Sequence, residues 1–258
     1  MTKDSGPLAD FLQEANRVLA VAREKGIQLR LMGACAIRMH CPTFGGLHDA
    51  LQRPLSDLDF VSYLKFNTDL KNLLIQLGYT PRVGAALLTS AGKLRQIYYD
   101  DMNRRVIDIF FDRLAMCHVI NFKGRLELDY PTIPLADILL EKMQIVEIND
   151  KDLKDSVVLL REHTIGEVEK ETVNAKYIAE LLSNDWGFYF TVTTNLNKLK
   201  DALARFENLS EKDRADVEEK TMKLLATIEK EPKSFGWKMR ARIGTGKKWY
   251  TDVEEVSR

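Results

Sequence analysis

Two short runs constrain this chain more than any other part of it: Ser56-Asp57-Leu58-Asp59-Phe60 and Val106-Ile107-Asp108-Ile109-Phe110-Phe111. Both have strand composition. Alternate side chains of a strand share a face, so Asp57 and Asp59 project together, roughly 6.5 Å apart along the chain. Leu58 and Phe60 then point the other way, into a core. Two parallel carboxylates repel unless something positive lies between them. A divalent cation is one solution, and Mg²⁺ accepts one or two carboxylates together with substrate phosphates. The plain alternative is an edge strand whose two acids face water. Asp108 is a lone acid among five apolar residues, costly to bury unless paired or bound to a metal. Arg104 or Arg105 would serve as its partner.

A chain of 258 residues suffices for one large or two small domains, with a core that needs no disulfide staples. Its 38 basic and 38 acidic residues cancel. That excludes a histone-like polybasic protein and an acidic tail protein, and leaves local charged sites open. The three cysteines, Cys35, Cys41 and Cys117, are odd in number and irregularly spaced, so no disulfide framework is expected. His40 and His48 lie near the first two, but no Cys-x2-Cys pair accompanies them to make a zinc site. The first residues carry no apolar leader, and no apolar run approaches the ~20 residues of a membrane span. A cytoplasmic protein without a membrane partner is expected.

Apolar residues at three- and four-residue steps predict an amphipathic helix over 8–25, with Gln13, Glu14, Asn16, Arg17 and Arg23 facing outward. A strand over 27–32 stops at Gly33, and two helical turns follow over 34–40. A strand over 57–63 precedes a helix over 67–77. Two β runs, 94–100 and 104–111, flank the polar 101–103 and read as a hairpin. A second hairpin is expected from 117–121 and 125–129 around Lys123-Gly124. Pro134 opens a helix to about residue 148, and another begins at Asn149 or Asp150 and reaches about 162. Beyond Gly166 strand signals vanish, and helices are predicted near 170–183, 186–206 and 211–230, the last capped by Ser210. The expected class is α+β, with a mixed-sheet domain over 1–165 and a helical domain over 166–258.

A glycine-ended strand, an Asp-x-Asp strand and a later single-Asp strand together make a layout for metal-dependent phosphoryl transfer. This order resembles the nucleotidyltransferase superfamily with its polymerase β-like fold, and within it the AbiEii-type toxins. The stretches that carry the likeness are Met32-Gly33-Ala34-Cys35-Ala36-Ile37-Arg38, Ser56-Asp57-Leu58-Asp59-Phe60, Leu139-Leu140-Glu141-Lys142-Met143 and Lys151-Asp152-Leu153-Lys154-Asp155. It covers about residues 10–162. The resemblance implies that Asp57, Asp59 and Asp108 hold Mg²⁺, Asp108 completing the metal site or activating the acceptor hydroxyl. It implies a nucleoside triphosphate held by Gly33, Ala34, Ser56, Arg38 and Lys142, with Asp152 or Asp155 positioning that lysine or the nucleotide. Ala34 stands where that family has serine or a second glycine, and lacks the hydroxyl that would meet phosphate. By the same likeness the acceptor is the 3′ end of a tRNA and an antitoxin protein is a partner.

Each of these residues also has a plainer reading. Lys142 lies three residues after Leu139 and four after Ile138, beside the apolar stripe, where it either snorkels to solvent or reaches into the site. Asp152 and Asp155 would equally complement a helix dipole. Near the C-terminus, Lys238, Arg240, Arg242, Lys247 and Lys248 are interleaved with Phe235, Trp237, Trp249 and Tyr250. Such a segment either neutralises phosphates and stacks on unpaired bases or docks its aromatics on the helical part. The rival to an enzyme is a non-catalytic RNA- or partner-binding protein on the same fold. A small-molecule or protein hydroxyl is the alternative acceptor.

Overall fold

A computed structural model describes residues 6–82 and 94–253. Among these, α1 (Phe11–Glu24) leads to β1 (Leu29–Met32), α2 (Gly33–His40) and the short α3 (Gly46–Ala50). Then come β2 (Asp57–Ser62), α4 (Asn67–Gln76), β3 (Thr80–Pro81), β4 (Arg95–Asp100) and β5 (Arg105–Phe111). A small hairpin, β6 (Arg113–Ala115) with β7 (Val119–Asn121), precedes α5 (Leu135–Met143) and α6 (Asp150–Glu162). The chain closes with β8 (Thr164–Gly166), β9 (Thr172–Asn174), α7 (Ala175–Leu182), α8 (Trp186–Ala202), α9 (Glu211–Lys230) and α10 (Phe235–Ile243).

The main sheet is mixed, in the order β1-β2-β5-β4-β3. Among its described strands, only β2 and β5 pair in parallel. With helices packed around it, the sheet is compatible with the α+β class. Leu58, Phe60, Ile107 and Ile109 are fully buried, as the alternation requires. One apolar core continues from Val18 in α1 to Ile228 in α9. Across the middle of the chain, Lys220 Nζ donates to the carbonyls of Leu160 (2.9 Å) and Arg161 (3.2 Å).

Several local expectations change. Glu14 does not face outward: it is fully buried and accepts from Leu8 N, Arg17 and the Tyr79 hydroxyl. The second hairpin is β6–β7, while 125–129 forms turns because Arg125 is drawn to Asp137 (2.8 Å) and Glu169 (2.7 Å). Helix α5 ends at Met143 rather than near 148, since Asn195 Nδ2 donates to the carbonyls of Met143 (2.9 Å) and Ile145 (2.7 Å). Beyond Gly166 one strand does occur, β9, parallel to β8 and too short at three residues to leave a period in the sequence. The Asn149 and Ser210 caps form as expected, accepting from Asp152 N and Asp213 N respectively. No helix among the described residues is long and apolar enough to cross a membrane.

Arg105 shows what its region of the fold rests on. It is 1% exposed, pairs with the buried Asp100 at 2.6 Å and donates to the Leu8 carbonyl at 2.7 Å. It thereby ties β5 to the segment ahead of α1. Removing one partner of such a pair leaves a buried charge unmatched. Asp100→Ala should lower stability by about 3–5 kcal/mol, read as a reduced urea midpoint.

Candidate functional site

The parallel pairing of β2 and β5 sets Asp59 beside Asp108 and Asp57 beside Val106. The three acids therefore share one face of the sheet. They line a cavity of about 790 Å³, together with Ala34, Ser56, Arg53, Arg95, Lys142 and Asp152. Ser56 Oγ donates to Asp57 Oδ1 at 3.0 Å.

Gly33 sits at the junction of β1 and α2 with φ +73°. A Cβ there would lie 2.7 Å from Asp59 Oδ2, so a side chain is excluded both by the left-handed backbone and by the carboxylate. Its amide, expected to meet phosphate, instead donates to Glu141 Oε2 at 3.2 Å. This glycine thus brings the α2 start against an acid rather than leaving an open phosphate cradle.

Asp108 is satisfied, but not by Arg104 or Arg105. Arg95 on β4 forms a two-pronged pair with it, at 3.1 and 2.7 Å, and stacks over Phe110 at 5.1 Å. The antiparallel register sets Arg95 opposite Phe110, one pleat from Asp108 on the same face.

Helix α5 supplies Glu141 and Lys142. Lys142 is 9% exposed and does not snorkel. Its ammonium lies 3.3 Å from Asp155, 3.5 Å from Glu141 and 3.6 Å from Asp152. Burial alone would lower its pKa; Asp155, Glu141, Asp152 and Asp59 outweigh this and hold it above the ordinary value. Asp155, expected to position that lysine or the nucleotide, is fully buried between Lys142 and Arg53, the latter at 2.8 Å, and positions the lysine. Arg38 departs from expectation: it reaches Asp49 at 3.3 Å instead of lining the cavity.

The electrostatics of the wall are those of crowded acids. Burial, then the charges of Asp57, Asp108 and Glu141, pushes the Asp59 carboxyl well above its usual range. Burial lifts Glu141 to about 7 despite Lys142 and the Gly33 amide. Burial raises Asp152 too, against Lys142. Oxygen-only donors suit a hard divalent cation such as Mg²⁺. Asp57 and Asp59 would hold such an ion, and Asp108 would join them only by giving up Arg95.

The C-terminal segment reaches this cavity. Arg240 stacks on Trp186 at 4.6 Å and donates to the Gly244 and Lys247 carbonyls, while Lys248 pairs with Asp252. Trp249 Nε1 donates to Thr191 Oγ1 at 3.1 Å, and its ring meets Phe190 edge-on. Thr251 N then bonds to the Cys117 carbonyl at 3.0 Å, and Tyr250, Asp252 and Val253 complete the cavity lining. Trp237 and Trp249 therefore dock the segment, while Phe235 stays exposed. Lys238, Arg242 and Lys247 stay exposed, outside the cavity lining.

Sequence reasoning passed over Glu141, Arg53 and Arg95. Glu141 carried little signal: α5 mixes Asp137, Glu141 and Lys142 with apolar residues, and its burial on all sides is a property of the packed fold. Arg53 had none, because it reaches Asp155 across the fold, whereas Arg95 lies in the expected hairpin and only the register of that hairpin sets it beside Asp108.

Two outcomes test this description. For the metal, the sign follows from raised carboxyl pKa values. A neutral Glu141 adds stability below its unfolded value of about 4.5, which is lost as pH rises through about 7. Against Glu141→Gln, wild-type stability should fall over that window. Mg²⁺, which needs the ionised acids, should raise the melting temperature more at about pH 8 than at about pH 5. For the tail, a Cβ on Gly187 would lie 2.5 Å from the Trp249 carbonyl oxygen. Gly187→Ala should release the segment, seen as faster tryptic cleavage after Lys247 and Lys248 with helical circular dichroism retained.

No protein-family model matches this chain, and no curated protein matches it.

Proposed function

We propose that the protein is a metal-dependent nucleotidyltransferase, moving a nucleoside monophosphate from a nucleoside triphosphate to an acceptor hydroxyl. The observation that carries this reading is the gathering of Asp57, Asp59 and Asp108 on adjacent strands, at one wall of a cavity that Lys142 also lines. The sequence likeness to the nucleotidyltransferase superfamily supports it, since these are the residues that the likeness assigns.

Asp57 and Asp59 would hold Mg²⁺, which would supply positive charge against the triphosphate. The acceptor oxygen forms the new bond to the α-phosphorus as the bond to the pyrophosphate oxygen breaks. The hydroxyl proton passes to a carboxylate, and Asp108 takes that role once a ligand draws Arg95 away. Arg95 is then free to meet phosphate as a two-pronged donor. Lys142, fixed by Asp152 and Asp155, keeps positive charge at the opposite wall. The acceptor that the likeness favours is the 3′ end of a tRNA, with an antitoxin as protein partner. A second reading, a binding protein without catalysis, is favoured by Arg95 closing Asp108 and by Glu141 occupying the Gly33 amide.

Incubation with each labelled triphosphate, Mg²⁺ and total tRNA separates the two. Label should enter tRNA, and Asp59→Asn should reduce incorporation by about 10³-fold, as expected when several kcal/mol of charge stabilisation are lost. RNA binding without label transfer would favour the second reading.

A further inference from the structure

We propose a second cation site, formed by His40, His163 and Glu171, that takes a transition-type divalent ion of the Zn²⁺ class. It lies outside the acidic cavity and does not depend on the function proposed above. One ligand atom from each residue lies within 4.8 Å of the other two. His40 is the last residue of α2, His163 directly follows α6, and Glu171 directly precedes β9. Two remote parts of the chain, the end of α2 and the stretch around β8 and β9, thus meet at one point.

The two imidazoles face each other edge-on, their centroids 5.8 Å apart. Nδ1 of His163 lies 3.9 Å from Glu171 Oε2. His163 is 5% exposed, and its Nε2 is buried with no hydrogen-bond partner among the described residues. A buried ring nitrogen without a partner is costly and uncommon in a folded protein, and it leaves the His163 ring, whose Nδ1 faces Glu171, without a hydrogen bond on its other side. His40 Nε2 contacts the Thr132 hydroxyl and lies 3.8 Å from Asp129 Oδ2, a second carboxylate that could supply a fourth ligand.

The donor set decides the ion. Two imidazole nitrogens with one or two carboxylates suit Zn²⁺, while the oxygen-only wall around Asp59 suits Mg²⁺. Ligands about 2.0–2.1 Å from a tetrahedral Zn²⁺ are roughly 3.4 Å apart, so the three groups need to close by no more than about 1.4 Å. Metal bound there would clip the α2 end to the turns around β8 and β9. Its role would be structural, stabilising the contact between the sheet and the helices that follow it.

The test uses the full chain, stripped by a chelator and titrated with ZnCl₂ by calorimetry, with thermal unfolding in parallel. One Zn²⁺ per chain and a dose-dependent rise in melting temperature are expected. His163→Ala and Glu171→Gln should each weaken Zn²⁺ binding at least about tenfold, while Asp59→Asn should leave it unchanged. Glu171 is 64% exposed, so its variant keeps the question open to measurement even if His163→Ala fails to fold. Absence of Zn²⁺ binding would overturn the proposal, as would binding unaffected by Glu171→Gln. Loss of Zn²⁺ only in Asp59→Asn, or a Co²⁺–thiolate absorption band, would place the ion elsewhere and overturn it equally.

Discussion

Mutual repulsion among crowded carboxylates is the constraint on which the rest of this structure depends. Asp57, Asp59, Asp108 and Glu141 converge from two strands and a helix. So much negative charge drawn together needs compensating cations. The fold answers with cations delivered from other elements. Arg95 from β4 covers Asp108, and Lys142 from α5 faces the remainder. Asp155 and Asp152 in turn anchor Lys142. Charge alternates outward from the centre, so a substitution at one layer is felt by the next.

This arrangement explains why the helices that follow the sheet matter to the site. Asn195 ends α5 just after Lys142 by taking its terminal carbonyls. The same helix, α8, carries Thr191, which accepts from Trp249 and contacts His118 at 2.8 Å. That network seats the C-terminal segment on the cavity rim. Helices distant in sequence therefore set both the back wall and the mouth of a cavity whose acids come from the strands.

Much of the frame was legible because local signals are strong where burial is one-sided or complete. The runs at Asp57–Ser62 and Arg105–Phe111 alternate or are continuously apolar, and they form strands as read. Asn149 and Ser210 cap their helices because a short polar side chain ahead of an apolar period has few better uses. Misreadings fell where a long-range partner overrides local preference. Glu14 reads as outward from spacing alone, yet Arg17, Tyr79 and the Leu8 amide compensate its burial. Residues 125–129 have the composition of a strand, but Arg125 turns toward Asp137 and Glu169.

The sequence by itself determined that Asp57 and Asp59 share a face and that Asp108 must be buried with compensation. It also determined that Gly33 marks a sharp junction, since side-chain alternation and backbone sterics are properties of adjacent residues. Only the tertiary structure decided that Asp59 stands beside Asp108, that Arg95 is the compensating cation and that Gly33 approaches Asp59. The pairing of His40 with His163 and the docking of Trp249 belong to the same group. Each of these joins residues remote in the chain. Strand register and helix packing choose such partners through the burial of whole faces, and no local pattern encodes that choice.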